Sequence, residues 1–386
     1  MTPLDTTRDR LAAFARACEA GQDAFRLTPQ AEPTPYARCF AVFVWRLLKD
    51  PQLPQRSATL ARAIVDDMRA FRARPGMDVK GKPYRQLLTF SLSALAALPG
   101  SSPGLLDDLV AEQLAGDPVS DLEALGCLAG RAGSGNQAMF IAIFLLHGRD
   151  RLGQATQPHI DRWVDRHLRH MNRFGFWGPD RHMTHLQFQN GYHQHEVLEY
   201  LGVDHPRIAD AVAAVRGLAD AKGHFAPYPG GGGCFDYDAV FMLTPHGRVP
   251  DEATRAQLLR TASTIASEQR PDGGFAESVH VRPRSPASLR GFATHILQAR
   301  GNRALFAERL RQGLTLQRPK HDRIHTHWSR YSRRWDEADL WDSWFRMLAL
   351  ARIEVAMDPQ RAGDWGFIDY PGIGYHPSLA AGQVPH

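Results

Sequence analysis

Two carboxylates placed two residues apart are the sharpest candidates for chemistry in this sequence. Residues 230–240 read Gly-Gly-Gly-Gly-Cys-Phe-Asp-Tyr-Asp-Ala-Val, so a glycine run that we expect to be flexible precedes Cys234, Asp236 and Asp238 at the start of a predicted helix. Burial or a nearby like charge raises the pKa of a carboxyl group, and such a pair could supply a general acid. The structural alternative is helix capping, in which an aspartate accepts hydrogen bonds from backbone N–H groups at the helix N-terminus.

A second candidate is the polar segment 187–196, Gln-Phe-Gln-Asn-Gly-Tyr-His-Gln-His-Glu. Helical spacing places Tyr192, His195 and Glu196 on one face, and His193 with Glu196 on an adjoining face. A face of this kind that enters a cavity could perform the acid–base chemistry of a glycan lyase or hydrolase. The alternative is a hydrogen-bonded polar layer that joins neighbouring helices.

The third candidate is the segment 333–346, Arg-Arg-Trp-Asp-Glu-Ala-Asp-Leu-Trp-Asp-Ser-Trp-Phe-Arg. Asp339 and Asp342 lie about one helical turn apart, and Asp342 can pair with Arg346. This mixture of charged and aromatic side chains suits stacking on a sugar or clamping an anionic group such as diphosphate. The predicted substrate-binding residues are Tyr192, Tyr237, Trp328, Arg333, Trp335, Asp339, Asp342 and Arg346.

Metal and cofactor signals are weak. Cys234, Asp236 and His193 have the donor types that suit zinc, but no CxxC or HxxxH spacing lies near them. The sequence also has no P-loop, no GxGxxG after a strand and no GxSxG motif. We therefore predict no cofactor, with zinc or magnesium as minor alternatives.

The elements that position these residues are predicted to be helices in repeated hairpins. The turns Gly175-Phe176-Trp177-Gly178, Gly223-His224-Phe225 and Asp272-Gly273-Gly274-Phe275 place phenylalanines 49 and then 50 positions apart, which is typical of stacked helical units. Inner helices are predicted to begin near Tyr36, Tyr84, Asn136, Gly191, Asp236, Ser288 and Asp339. We expect these six or seven hairpins to close into an all-α ring, an α/α toroid, rather than an open solenoid. A further helix is predicted over 122–130, and strands should be few.

Composition favours a globular enzyme or binding protein. The 386 residues carry a net charge of +5 without a basic stripe, so we predict no nucleic-acid partner. No apolar run approaches the roughly 20 residues of a membrane span and no signal segment stands out, so we expect a cytoplasmic protein. The four cysteines form no disulfide framework. We predict one domain over residues 1–379 with a frayed tail at 380–386, and the oligomeric state stays open.

The turn Gln269-Arg-Pro-Asp-Gly-Gly-Phe resembles the repeated Gln-…-Asp-Gly-Gly-Trp/Phe turns of terpenoid cyclases and protein prenyltransferase β-subunits. Over residues 165–300 this resemblance implies the toroid fold of those proteins. In class II cyclases a DxDD signature opens an inner helix, and its middle aspartate protonates an alkene or epoxide. Asp236-Tyr-Asp238 is similar to its first and third positions, which implies that Asp238 is the acid and Asp236 tunes it, although Ala239 replaces the last aspartate. The zinc ligands of prenyltransferases do not carry over, because Cys234 precedes the aspartate.

The resemblance implies a terpenoid cyclase-like enzyme, of the isomerase or lyase type, that acts on an isoprenoid-like substrate. Two other functions stay open. The first is a glycan lyase or glycoside hydrolase that acts on an oligosaccharide with His193, His195 and Glu196. The second is a toroid that binds a peptide or glycan without catalysis, in which changes to the two aspartates would leave ligand affinity intact.

Overall fold

Helices dominate the part of the chain that the computed structural model describes, residues 3–282 and 285–376. The α-helices are α1 Pro3–Ala17, α2 Pro35–Leu48, α3 Gln52–Arg72, α4 Lys82–Ala97, α5 Asp107–Gln113, α6 Asp121–Ala124, α7 Gly135–Asp150, α8 Gln157–Arg169, α9 His185–Tyr200, α10 Ile208–Arg216, α11 Gly233–Leu243, α12 Glu252–Ser267, α13 Pro286–Gln298, α14 Arg303–Leu316 and α15 Leu340–Met357. Two strands of two residues each, β1 Phe275–Ala276 and β2 Ala338–Asp339, pair antiparallel. The prediction of an all-α chain with few strands is confirmed.

Most of the predicted inner-helix starts lie within a few residues of the observed ones. Helices α2, α4, α7, α11, α13 and α15 begin one to three residues from the predicted positions. The start predicted near Gly191 is wrong, because α9 already begins at His185 and includes the polar residues before that glycine. The helix predicted over 122–130 is also wrong, since α6 ends at Ala124 and the chain turns at Gly126 and Gly130, whose φ angles are 71° and 67°.

The repeated turn predicted from the sequence is a single backbone structure that occurs three times. In each copy, the residue three positions before the turn glycine donates its backbone N–H to the carbonyl of the residue that follows the glycine. The three bonds are Asn172 to Phe176 at 2.7 Å, Asp220 to His224 at 2.8 Å and Arg270 to Gly274 at 2.9 Å. Gly175, Gly223 and Gly273 adopt φ angles of 75°, 97° and 95°, a region that favours glycine. The buried aromatic side chains that correspond are therefore Trp177, Phe225 and Phe275, so the turns themselves repeat after 48 and 50 residues.

The chain divides into two compact units. Unit 1 comprises Met1–Leu48, His182–His185 and Val212–Trp365, and unit 2 comprises Lys49–Arg181, Leu186–Ala211 and Gly366–His386. The single domain over 1–379 stays a prediction, and the tail predicted at 380–386 lies outside the described residues.

Two largely buried helices form the core of unit 1. Helix α15 packs against α11, α2 and α12. Every residue of α11 from Phe235 to Leu243 is buried, including two aspartates, so this stretch of the helix has no solvent face. A helix buried all round must satisfy its polar side chains within the protein, which makes α11 and α15 the natural place to look for buried charge.

Unit 2 has its own core around α7. This helix is buried from Gln137 to Gly148 and packs against α4, α5 and α8. Among the described residues of the whole chain, no helix is both long enough and apolar enough to cross a bilayer.

Candidate functional site

The glycine run before α11 is closely packed, which corrects the expectation that it is flexible. Residues 230–233 are all buried. A Cβ atom at Gly231 would lie 2.4 Å from Asp236 Oδ2, one at Gly232 would lie 2.5 Å from Glu277 Oε1, and one at Gly233 would lie 2.8 Å from Asp342 Oδ1. The run therefore lets three carboxyl groups approach the backbone at the start of α11.

Asp236 is held in a buried ion pair. Its Oδ2 atom accepts hydrogen bonds from Arg346 Nη1 and His224 Nδ1, both at 3.2 Å, and its Oδ1 atom accepts from the backbone N–H of Phe225 at 2.9 Å. The side chains of Asp236 and His224 have no exposed surface. Capping of α11 therefore does not account for Asp236, because the partners of its carboxylate all come from other segments of unit 1.

A short chain of polar contacts leads from Asp236 toward the surface of unit 1. His224 Nε2 lies 3.1 Å from Glu268 Oε1, and the same oxygen lies 2.8 Å from His280 Nε2. Burial opposes the charged form of His224, but Asp236 and Glu268 outweigh it and raise the pKa of this imidazole to about 10. Burial opposes the ionised form of Glu268 as well, yet its two histidine partners hold the pKa of this carboxyl well below its usual value.

A second cluster gathers three carboxyl groups around one guanidinium, and we call it the carboxyl cluster: Glu277, Asp339, Asp342 and Arg333. Arg333 Nη2 donates to Asp342 Oδ2 at 2.7 Å and to Glu277 Oε2 at 3.3 Å, and Arg333 Nε donates to Asp339. Burial, together with the charges of Glu277 and Asp339, raises the pKa of Asp342 well above its usual value. Burial likewise raises the pKa of Asp339, against the opposing charge of Arg333. Three carboxyls with one cation favour keeping a proton within this cluster.

Other contacts fix the carboxyl cluster in place. Asp339 Oδ1 accepts the N–H of Asp342 at 2.7 Å and so caps α15, while Asp342 Oδ1 accepts the N–H of Gly233 at 3.2 Å at the start of α11. The hydroxyl of Tyr228 donates to Glu277. Asp342 therefore links the two buried helices, whereas the pairing predicted from sequence between Asp342 and Arg346 is replaced by its contact with Arg333.

Cys234 and Asp238 lie one turn apart on α11. Asp238 is 2% exposed, and Cys234 is partly exposed. Burial raises the pKa of the Cys234 thiol well above its usual value, and the negative charges of Asp238, Glu277 and Asp342 add to that shift. The thiol therefore lies among these carboxyl groups, and it is not poised as a nucleophile, since only the thiolate attacks.

An aromatic cluster, consisting of Tyr36, Phe40, Trp328, Trp341 and Phe345, adjoins the carboxyls. Tyr36 stacks on Trp328 and Trp341 with ring centroids 4.6 and 5.6 Å apart. Trp341 also contacts Phe40 and Phe345 at 4.9 and 4.8 Å. Burial raises the pKa of Tyr36 well above its usual value, and the negative charge of Asp339 adds to that shift, so this ring lies near the acidic side chains.

Two more predicted substrate-binding residues of unit 1 have packing contacts. Tyr237 is fully buried and lies 5.7 Å from the ring of Phe345. Trp335 lies edge-on to Tyr228 at 5.4 Å and donates its indole N–H to the carbonyl of His321 at 2.9 Å. Both therefore extend the aromatic side of the site, and their role toward a substrate stays a prediction.

In unit 2, the segment predicted for acid–base chemistry is a buried and mainly neutral polar layer. His193 Nε2 lies 2.9 Å from Asn136 Nδ2, and His195 Nδ1 lies 3.1 Å from His205 Nε2. Burial lowers the pKa of His193 to about 3 and that of His195 well below its usual value. Glu196 is 1% exposed and accepts the N–H of Gly374 at 3.4 Å, and Tyr192 is fully buried beside His193.

Unit 1 brings together Cys234, Asp236, Asp238, Arg333, Asp339, Asp342 and Arg346, which the sequence had placed in two separate candidate segments. Sequence reasoning missed four members of the same site: His224, Tyr228, Glu268 and Glu277. His224 and Glu277 stand in or just after the repeated turns, which is the signal that could have found them. The zinc set of Cys234, Asp236 and His193 draws on both units and stays a prediction.

Comparison with known proteins gives a fold and no family. No family model matches the chain, and no curated protein matches it. Among solved structures, a variant of the type II terpene cyclase MstE from Scytonema, in complex with its substrate geranylgeranyl dihydroxybenzoate, is similar with a TM-score of 0.52 at 14% identity, covering 92% of this chain and 98% of that chain.

Two further structures of the same cyclase are also similar. A variant in complex with the product merosterolic acid A has a TM-score of 0.47 at 15% identity and covers 92% of this chain and 97% of that chain. The apo form has a TM-score of 0.46 at 15% identity, covering 71% and 82%. At such low identity the likeness with a TM-score of 0.52 shows the fold alone. It confirms the predicted fold class, an all-α fold of the terpene cyclase type.

Proposed function

We propose that the protein is a terpenoid cyclase-like enzyme that protonates an isoprenoid-like substrate with a carboxylic acid of unit 1. The observation that carries this proposal is the position of the aromatic cluster directly beside an excess of buried carboxyl groups. A carboxylic acid that keeps its proton in a desolvated site can donate it to a carbon–carbon double bond. Aromatic faces stabilise the positive charge that then develops on carbon.

In this proposal Asp238 is the acid, as its similarity to the middle aspartate of the DxDD signature implies. Its proton adds to an alkene or epoxide, the resulting cation is attacked by a further double bond of the same molecule, and loss of a proton from a neighbouring carbon ends the reaction. Substrate and product of an alkene cyclisation are isomers, so no co-reactant is needed. Asp236, which pairs with Arg346, is the residue that tunes this acid in the proposal.

Asp342 is the second carboxyl group that the geometry favours as a proton source. It is fully buried, and burial and its acidic neighbours raise its pKa well above the usual value. Comparison of two isosteric variants separates the two carboxyls. If Asp238 donates the proton, Asp238→Asn lowers the rate by about 10²–10⁴-fold, whereas Asp342→Asn retains measurable turnover.

The test uses geranylgeranyl dihydroxybenzoate, the substrate of the structurally similar cyclase, and linear prenyl diphosphates as probes. Products are analysed by mass spectrometry in H₂O and in D₂O. Cyclisation started by an acid that exchanges with solvent gives products one mass unit heavier in D₂O, and the exposed-site variant Asp165→Asn should behave as the wild type. If no probe yields a cyclic product, or if products carry no solvent deuterium, the acid mechanism is wrong. Oligosaccharides then become the next substrates to try, for the glycan lyase or hydrolase alternative.

A further inference from the structure

We propose that His224, Glu268 and His280 form a binding site for a divalent transition-metal ion of the zinc class. Each of these residues offers one ligand atom, and the three atoms all lie within 4.8 Å of one another. Two imidazoles and one carboxylate are a donor set that zinc uses when its fourth position is left to water or another ligand. This site is distinct from the zinc set suggested by the sequence, with which it shares no residue.

The distances within the triad suit a tetrahedral ion. Glu268 Oε1 lies 2.8 Å from His280 Nε2 and 3.1 Å from His224 Nε2. Ligand atoms bound to zinc at about 2.0–2.1 Å stand roughly 3.3 Å apart in a tetrahedron, so the two contacts of Glu268 need to lengthen by only a few tenths of an ångström. The two histidine ligand atoms lie within 4.8 Å of each other. The three residues come from the repeated turn before α11, the end of α12 and the segment after β1, which are well separated in sequence.

A second carboxylate orients the innermost ligand. His224 Nδ1 lies 3.2 Å from Asp236 Oδ2, on the side of the ring opposite Nε2. Asp236 is itself fixed by the N–H of Phe225 at 2.9 Å. Metal-ligating histidines almost always donate their other ring N–H to a carboxylate or carbonyl. His224 would keep its Nδ1 proton toward Asp236 and release its Nε2 proton when the ion binds.

The site is open to solvent on one side. A cleft of about 490 Å³ is lined by Glu268 and His280, together with Thr264 and Ser267 of α12. The side chain of His280 is 32% exposed, that of Glu268 is 10% exposed, and that of His224 is fully buried. An ion can therefore enter from the cleft, bind Glu268 and His280 in its lining and the buried His224 behind them, and keep a water molecule toward the solvent.

Two cations border the site and set its charge. Lys222 Nζ lies 3.5 Å from His280 Nε2, and Lys222 is exposed, so its side chain can move away when an ion binds. Arg346 Nη1 lies 3.6 Å from Glu268 Oε2 and stays with Asp236. Glu268 supplies one negative charge as a ligand, and Asp236, which also pairs with Arg346, adds negative charge beside His224.

The experiment measures metal binding by the full-length, chelator-treated protein and needs no substrate, so its result is independent of the proposed enzyme activity. Isothermal titration with ZnCl₂ is expected to give one site per chain, with a rise in the melting temperature. CoCl₂ is expected to give the visible absorption bands of a tetrahedral Co²⁺ complex. His280→Ala and Glu268→Gln should each weaken zinc binding at least about tenfold, while His246→Ala, at an exposed histidine of the same unit, should leave it unchanged.

Circular dichroism checks that each variant is folded. If Glu268→Gln does not fold, the comparison rests on His280→Ala. One zinc site that is lost in the His280 variant supports the proposal. Absence of zinc binding to the folded wild type overturns it, and so does zinc binding that is equally tight in the wild type and both triad variants.

Discussion

The polar groups buried around the candidate residues differ in charge between the two units, although unit 2 also holds an ion pair elsewhere, between the buried guanidinium of Arg85 and Asp121 at 3.0 Å. In unit 1 they are charged and paired: Arg346 with Asp236, and Arg333 with Asp342 and Glu277. In the polar layer of unit 2, burial lowers the pKa values of His167 and His193 to about 3. His167 contacts the carbonyl of Trp163, and His193 contacts the amide of Asn136 and lies 3.8 Å from Glu196 Oε2. Burying paired charges is costly, whereas neutral polar groups need only hydrogen bonds. The second arrangement is that of a hydrogen-bonded structural layer, so the chemistry is better sought in the first.

The largest effect is expected from removing one partner of a buried charge pair in unit 1. Arg346→Met leaves Asp236 without its guanidinium and removes contacts to the carbonyls of Gly230 and Glu277, so it should lower the free energy of unfolding by about 3–5 kcal/mol. Urea denaturation followed by circular dichroism measures the loss. The control is Arg216→Met in the same unit, whose partner Asp251 is exposed and which should cost about 0–1 kcal/mol. Equal losses in the two variants would remove the distinction between buried and exposed pairs.

The next effect concerns the close approach of backbone and carboxylate. Gly231→Ala places a methyl group 2.4 Å from Asp236 Oδ2 at a residue with φ of 63°, and should cost about 2–4 kcal/mol from crowding and backbone strain together. Gly247→Ala has a similar φ of 71° with nothing within 4 Å, so it should show the strain alone, about 1–2 kcal/mol. The difference between the two midpoints in urea isolates the contact with Asp236. If the two variants are equally stable, the glycine run is not required by packing.

The smallest effect is a pH dependence carried by the neutral histidines of unit 2. Burial lowers the pKa of His167 to about 3 from its ordinary value of 6.5. Below pH 6.5 the unfolded chain binds a proton that the folded unit does not, so stability falls as the pH decreases from 6.5 toward 3, by about 2 kcal/mol for this residue at pH 5. His167→Phe keeps the aromatic stacking on Trp163 and should flatten the dependence. The measurement is the urea midpoint of the wild type and the variant at pH 7 and at pH 5. An equal change in midpoint for both proteins would show that His167 does not carry the pH dependence.

Local patterns predicted much of the fold and part of the site. Helical periodicity located α2, α4, α7, α11 and α15 because apolar spacing is a property of each segment by itself. The glycine run was misjudged because its reason lies in side chains distant in sequence, such as Asp342. The contacts of Glu268 and Glu277 also depend on tertiary packing. The same holds for the ion pair of Arg346 and Asp236, which are 110 positions apart in the sequence. Distances of this kind are set by how helices pack, and a single sequence gives no measure of them.

The three copies of the turn carry a different residue at the position after the turn glycine: Phe176, His224 and Gly274. The backbone hydrogen bonds around that position are the same in all three. In one copy it is filled by an apolar ring, in the second by an imidazole bound to two carboxylates, and in the third by no side chain at all. The main chain of the turn thus accommodates different side chains at this position, and the packing around each copy decides which one fits. At Gly274 a Cβ atom would lie 2.7 Å from Ala338 Cβ, so this copy admits only glycine.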